Sequence, residues 1–197
     1  MTEVLQAKID NGFWYGEPYS DTMLISAGFG EPRNNGVGYH TGIDCAPVNG
    51  QPGTPIRLTS SGAFIMWCGV YQGTRARDVN GGYGNVLLLR LANQYQLLLA
   101  HMQRFSDPIQ QWVDAGFPAN LKPTFSPNEV IGYQGNTGYV YGTLPDGSFG
   151  IPADDDMISA THTHLEVRTP AGQLVNPATV LTGYEFTGRE SNAPLIF

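Results

Sequence analysis

Asn85-Val-Leu-Leu-Leu-Arg-Leu91, then Ala92-Asn93-Gln94, then Tyr95-Gln-Leu-Leu-Leu-Ala-His101: two apolar segments joined by a short polar turn spell a β-hairpin. Leucines at consecutive positions on both arms predict strands covered on both faces, inside a sandwich or barrel-like sheet rather than at its edge. His101 falls at the far end of this hairpin.

Outward from the hairpin, residues 26–181 continue as short apolar runs broken by Asn49-Gly50, Pro52-Gly53, Asn80-Gly81-Gly82, Gly135-Asn136 and Asp146-Gly147. Turn signals at such spacing mean antiparallel strands. The 197 residues suit one domain, and 25 Gly and 14 Pro with 14% charged residues fit short strands and tight turns better than a helical bundle. The expected fold is all-β, mainly antiparallel sheet, with short helical loop insertions. One insertion covers residues 106–128, where Asp107-Pro-Ile-Gln-Gln-Trp-Val-Asp-Ala has one or two helical turns before Pro118, Pro123 and Pro127. The other covers 141–160 and carries the acidic run Asp154-Asp155-Asp156, read as a solvated loop. Residues 1–25, rich in Gly, Pro and aromatics, are expected to form an arm packed on the domain, and residues 182–197 a C-terminal tail.

A formal net charge of −7 with only 10 Lys and Arg leaves no basic face for nucleic acid. No stretch approaches the roughly 20 apolar residues of a membrane-spanning helix, and the N-terminus lacks the pattern of a secretion signal. Two cysteines, Cys45 and Cys68, are too few to define a disulfide framework; spacing leaves their pairing open, and buried free thiols are the simpler reading.

The chemistry rests on four histidines, at positions 40, 101, 162 and 164. In Gly38-Tyr-His40-Thr-Gly-Ile-Asp44-Cys-Ala-Pro, an extended chain would hold the Cα atoms of His40 and Asp44 about 13 Å apart, too far for one metal ion. The chain must turn between them, which Gly42 permits, leaving His40 at a loop end and Asp44 at the start of a strand. In Thr161-His162-Thr163-His164-Leu165-Glu166-Val167-Arg168 a period of two puts His162, His164 and Glu166 on one face and Thr163, Leu165 and Val167 on the other. Same-face neighbours lie about 6.6 Å apart, so one imidazole can bind a metal while the other reaches a bound water or a substrate oxygen. Two His and one Asp make the three-ligand set found in catalytic zinc sites with an open position, a mixed imidazole and carboxylate set that also suits other transition metals. Cys45, next to Asp44, should point to the opposite side of its strand and stay out of such a site. No His-Glu-x-x-His helix is present.

Four blocks in order resemble the lysostaphin/LytM-type zinc metallopeptidases of peptidoglycan. They are Ser26-Ala-Gly-Phe-Gly30 with His40-Thr-Gly-Ile-Asp44 and Gly53-Thr-Pro55; Tyr83-Gly-Asn-Val86 leading to Leu99-Ala-His101; Val130-Ile-Gly132 with Gly135-Asn-Thr-Gly138; and His162-Thr-His164-Leu-Glu-Val-Arg168 with Val175-Asn-Pro177. The resemblance implies an open groove over a Zn2+ ion, with His40, Asp44 and His164 as metal ligands and His101 and His162 as catalytic residues. It further implies endopeptidase action on stem-peptide or cross-bridge bonds, with peptidoglycan peptides as the partner and the bacterial cell wall as the place of action. Thr163 stands where the family usually has an apolar residue, and the 106–128 and 141–160 loops are longer than its common loops and should rim the groove, so they bear on substrate choice. Two other expectations stand beside this one. A non-catalytic wall-binding or regulatory module of the same fold has no need of the paired ligand set. A phage tail or lysis component carrying the domain in a virion or larger assembly differs in setting rather than chemistry.

Overall fold

The computed structural model describes residues 23–33, 38–47, 51–58, 63–91, 94–126, 129–180 and 186–188. The expected arm over residues 1–25 lies outside these but for its last three positions, as do the Asn49-Gly50 and Ala92-Asn93 turn residues. The strands in chain order are β1 Met23–Ala27, β2 Ile43–Pro47, β3 Pro55–Leu58, β4 Phe64–Gly69, β5 Asn85–Arg90, β6 Gln96–Met102, β7 Arg104–Phe105, β8 Glu129–Tyr133, β9 Gly142–Thr143, β10 Phe149–Gly150, β11 Thr163–Arg168, β12 Leu174–Val175 and β13 Phe186–Gly188. The large sheet runs β13-β1-β2-β11-β6-β5-β4, with β12 added on β11; β3-β8-β7 form a second sheet and β9-β10 a small ribbon. Apart from the parallel pairing of β13 with β1, these ladders are antiparallel. The fold is thus all-β.

The Leu-rich hairpin is the centre of the large sheet. Its turn closes through Leu91 N–H to Tyr95 O at 2.8 Å and Gln94 N–H to Leu91 O at 2.9 Å, with Gln94 at φ 69°. Leu87, Leu89, Leu97 and Leu99 point to one face, where they join Ile56, Ile131 and Phe105 from the second sheet in the main core. Full burial of each such leucine stabilises the fold by about 2 kcal/mol relative to exposure. On the opposite face Val86, Leu98 and Ala100 form a smaller cluster with Tyr83 and Leu88. Both faces of the hairpin are therefore covered, and the outer one carries the site.

Among the described residues of the 106–128 stretch, Asp107–Asp114 form a regular helix. Pro108 suits its first turn, where no backbone donor is needed, and Ile109 and Trp112, three residues apart, turn one stripe into the core. Gly116 at φ 79° ends it. Cys45 is buried in the main core and Cys68 packs against it from β4; both are free thiols.

Candidate metal centre

Strand register brings the first residues together. Across β2, β11 and β6, Asp44 lies opposite His164 and His164 opposite Ala100. Directly paired residues of antiparallel strands share a face. Their chain neighbours Ile43, Cys45, Leu165 and Leu99 turn the other way, into the main core. Asp44 and His164 thus stand side by side on the outer face, with Cys45 turned away as the strand period requires.

The chain bends at Thr41 and Gly42 before entering β2, and Gly42 is required there for its lack of a side chain. Its φ lies outside the left-handed region, so no glycine-specific turn is involved. A Cβ at this position would instead sit 2.1 Å from the carbonyl oxygen of Leu165. The chain entering β2 presses directly against β11, and only the absence of a side chain allows it. His40 precedes this contact. Its backbone is held by Gly30 N–H to His40 O at 2.8 Å and His40 N–H to Glu31 O at 2.9 Å, and its ring Nδ1 lies 2.9 Å from the Gly28 carbonyl.

Three donor atoms then converge. His40 Nε2 is 3.0 Å from His164 Nδ1 and 3.1 Å from Asp44 Oδ1, and His164 Nδ1 is 2.8 Å from Asp44 Oδ1. Two atoms bound tetrahedrally to zinc at about 2.0–2.1 Å are separated by roughly 3.3 Å, so this triangle needs to open by only a few tenths of an ångström to hold the ion. The two imidazole nitrogens and one carboxylate oxygen also match the mixed donor chemistry that suits zinc.

The far atoms of these side chains are engaged as metal ligands require. The Nδ1–H of His40 donates to Gly28 O, leaving the Nε2 lone pair facing the triangle. His164 Nε2 lies 3.3 Å from Glu166 Oε1, and Asp44 Oδ2 accepts from Arg33 Nη2 at 3.1 Å. Glu166 is fully buried and also accepts from Thr41 Oγ1 at 2.6 Å, Tyr83 Oη at 2.8 Å and Arg168 Nη2 at 2.9 Å. Burial opposes its ionisation, but the bonds from His164, Thr41 and Arg168 bring its pKa down to about 2. Burial likewise opposes charge on Asp44, yet His162, His164 and His40 hold it well below the carboxylate range. His164, whose burial would lower it, is pushed up to about 9 by hydrogen bonds to Asp44 and Glu166. The two carboxylates make this point in the molecule favourable for a cation.

His101 and His162 flank the triangle. His162 forms a bridge to Gly135 just before β11, and its Nε2 lies 3.7 Å from Asp44 Oδ1. The rings of His101 and His162 are 4.8 Å apart between centroids, and those of His101 and His164 are 6.0 Å apart. His101 reaches this position through a bulge: Ala100 and His101 together oppose Val86, between the pairs Asn85 with Met102 and Leu87 with Leu99. Its φ of 62° is unusual for a residue with a Cβ, and its N–H leaves the ladder to donate to Tyr83 O at 2.9 Å. Each ring is fixed by a backbone carbonyl, His101 Nδ1 at 2.8 Å from Thr137 O and His162 Nδ1 at 2.7 Å from Ala160 O. Burial lowers the pKa of both, that of His101 well below the usual histidine value with help from His162 and His164.

The structure therefore brings all five residues selected from the sequence into one cluster. The sequence placed Glu166 on the same face as the histidines but assigned it no role, and Tyr83 and Thr41 entered only as parts of motif blocks. Their common acceptor, the Glu166 carboxylate, joins two segments that lie far from each other and from β11 in the chain.

No protein-family model matches the chain. Over 141 residues, 72% of this chain, it is 33% identical to a DD-carboxypeptidase/endopeptidase Mpg of Neisseria meningitidis serogroup B and, at the same identity and coverage, to that of Neisseria gonorrhoeae. The chain spans 22% of the length of these curated relatives. Among solved structures it superposes on the SpoIIQ–SpoIIIAH pore-forming complex with a TM-score of 0.52 at 15% identity, over 86% of this chain and 91% of the other, which shows the shared fold. A further similar structure is the catalytic domain of the prophage-encoded M23 protein EnpA from Enterococcus faecalis, with a TM-score of 0.48 at 19% identity over 85% of this chain and 96% of that one. The likeness to lysostaphin/LytM-type peptidases drawn from the sequence blocks is borne out.

Proposed function

We propose, with the likeness to LytM-type peptidases as premise, that this domain is a zinc-dependent endopeptidase hydrolysing peptide bonds of bacterial peptidoglycan at the cell wall. The observation that carries the reading is the convergence of His40 Nε2, Asp44 Oδ1 and His164 Nδ1 within 3.1 Å of one another, with two buried histidines beside them. The relatives' name, DD-carboxypeptidase/endopeptidase, supports the peptide-cleaving class.

His40, Asp44 and His164 would hold the metal. When bound there, zinc supplies Lewis acidity toward a peptide carbonyl and lowers the pKa of a water from 15.7 to about 7. The chain's own part is to manage protons and charge. His101 and His162 keep their Nδ1 protons on backbone carbonyls, so Nε2 is the atom on each that accepts or returns a proton. Their lowered pKa values keep both imidazoles neutral near pH 7, ready to take a proton from the attacking water. Once protonated, an imidazolium donates a hydrogen bond to the developing oxyanion or passes its proton to the leaving amine. Glu166 is committed to His164, Thr41, Tyr83 and Arg168, so it holds a ligand in place and does not serve as the base.

Digestion of purified peptidoglycans of differing cross-bridge type, with mass spectrometry of the fragments, tests the activity. New amino termini are expected and identify the bond; release of reducing sugars, or no release of either kind by zinc-loaded protein, would refute the reading. His40→Ala and Asp44→Ala should lose both zinc and activity, whereas His101→Ala should keep zinc and lose turnover. Stoichiometric zinc in the Asp44→Ala protein would sink the ligand assignment.

A further inference from the structure

Arg75 is buried, 7% exposed, in a chain with only 10 Lys and Arg, and its guanidinium spends its donors on backbone carbonyls of two different segments. On one side Nη1 donates to Asn136 O and, at 3.2 Å, to Gly138 O. On the other, Nε donates to Ala153 O at 3.0 Å and Nη2 to Asp156 O at 2.6 Å. The Arg75 N–H adds a bond to Asp154 Oδ1 at 3.0 Å. Burying a guanidinium without water is costly unless its donors are matched, so such a matched site is a rigid clamp or it does not form.

Each clamped segment contains or leads to a carbonyl that orients one of the two flanking histidines. Between Asn136 and Gly138 lies Thr137, whose carbonyl accepts from His101 Nδ1 at 2.8 Å. The segment of Ala153 and Asp156 leads to Ala160, whose carbonyl accepts from His162 Nδ1 at 2.7 Å. Asn136 joins the two directly, its Nδ2 donating to Asp156 O at 2.8 Å and Ser159 O at 2.6 Å, and His162 N–H donates to Gly135 O at 3.0 Å. Ala160 itself is held at φ 57°, a conformation that residues with a Cβ adopt only when the surroundings impose it.

We infer that Arg75 is a positioning residue for both His101 and His162, setting the tautomer and aim of the two rings through the Thr137 and Ala160 carbonyls without touching the metal ligands. The inference rests on the proposed proton-handling role of these histidines for its effect on rate, but not for its effect on ring geometry. Part of the long 141–160 loop thereby acquires a role, since residues 153–160 are the arm through which the clamp reaches His162.

The test compares Arg75→Met with the parent protein, both zinc-loaded, by zinc content, steady-state kinetics on peptidoglycan fragments and long-range 1H–15N spectra of the imidazoles. Expected are full zinc content, KM within about threefold, kcat lower by about 10–100-fold, and loss or exchange broadening of the His101 and His162 Nδ1–H signals while those of His40 persist. Arg75→Lys, which keeps the charge but reaches fewer carbonyls, should fall between the two and serves if Arg75→Met does not fold. Persistence of both Nδ1–H signals, or a loss of kcat that merely follows loss of zinc, would overturn the positioning role. Loss of the signals with kcat unchanged would uphold the clamp and overturn the proton-handling reading of His101 and His162.

Discussion

Glu166 Oε1 lies 3.3 Å from Nε2 of His164, two residues away on the same face of β11. The carboxylate is fully buried, and it also accepts from Thr41 and Tyr83 at Oε1 and from Arg168 at Oε2. It therefore fixes which nitrogen of His164 faces Asp44 and His40. Glu166→Gln turns one acceptor into a donor among donors, and zinc affinity should drop by about 10–100-fold. Competition with a chromophoric chelator measures this; unchanged affinity would mean that Glu166 does not orient the ligand.

Gly42→Ala should be far more damaging than its size suggests. The new Cβ would meet the Leu165 carbonyl oxygen at 2.1 Å, and that atom belongs to a central strand rather than a flexible side chain. Separating β2 from β11 to relieve the clash is expected to cost about 3 kcal/mol of stability. Zinc affinity should fall as well, because Asp44 and His164 sit on those two strands. Urea unfolding of the metal-free protein isolates the first effect, and a change under about 1 kcal/mol would contradict the packing argument.

Arg33→Ala should matter little. Its Nη2 lies 3.1 Å from Asp44 Oδ2, but the side chain is 41% exposed, so screening by water limits the pair to about 0–1 kcal/mol. Zinc affinity should change by less than about sixfold on that figure. A loss as large as that of Asp44→Ala would show that Arg33 holds the carboxylate in its binding geometry rather than merely lying near its charge.

Cys45 and Cys68 should titrate as two thiols per chain when the protein is unfolded without reductant. In the native state both should react slowly. Burial puts the Cys45 thiol well above the ordinary range and pushes Cys68 up to about 12, so little thiolate is present at neutral pH. Fewer than one thiol in the unfolded, unreduced chain would establish a disulfide instead.

The parts of the fold that were legible in advance are those set by local periodicity. Consecutive leucines in 85–91 and 95–101 announced a hairpin covered on both faces, and β5 and β6 are that hairpin at the centre of the large sheet. The alternation through 162–168 assigned Leu165 and Val167 to the core and His164 and Glu166 to the opposite face, because a strand repeats every two residues whatever it pairs with. The bend expected at Gly42 is present, but the close contact of this residue with the Leu165 carbonyl is legible only from what lies across from it. Residues 182–197, read as a tail, contribute β13 to the sheet edge beside β1, a pairing of segments more than 160 residues apart.

The sequence by itself determined the strand-rich character of the chain, the two faces of its key strands and a short list of side chains capable of metal and proton chemistry, all of which depend on residue type and nearby spacing. Tertiary structure alone decided which atoms meet. The 2.8 Å approach of His164 to Asp44 needs two strands 120 residues apart to pair in one register. The aim of His101 needs a bulge with positive φ, and the clamp of Arg75 needs two loops to present their carbonyls to a single guanidinium. Such contacts arise from packing between distant segments, and a backbone carbonyl carries no residue-specific mark by which its partner could be read in advance.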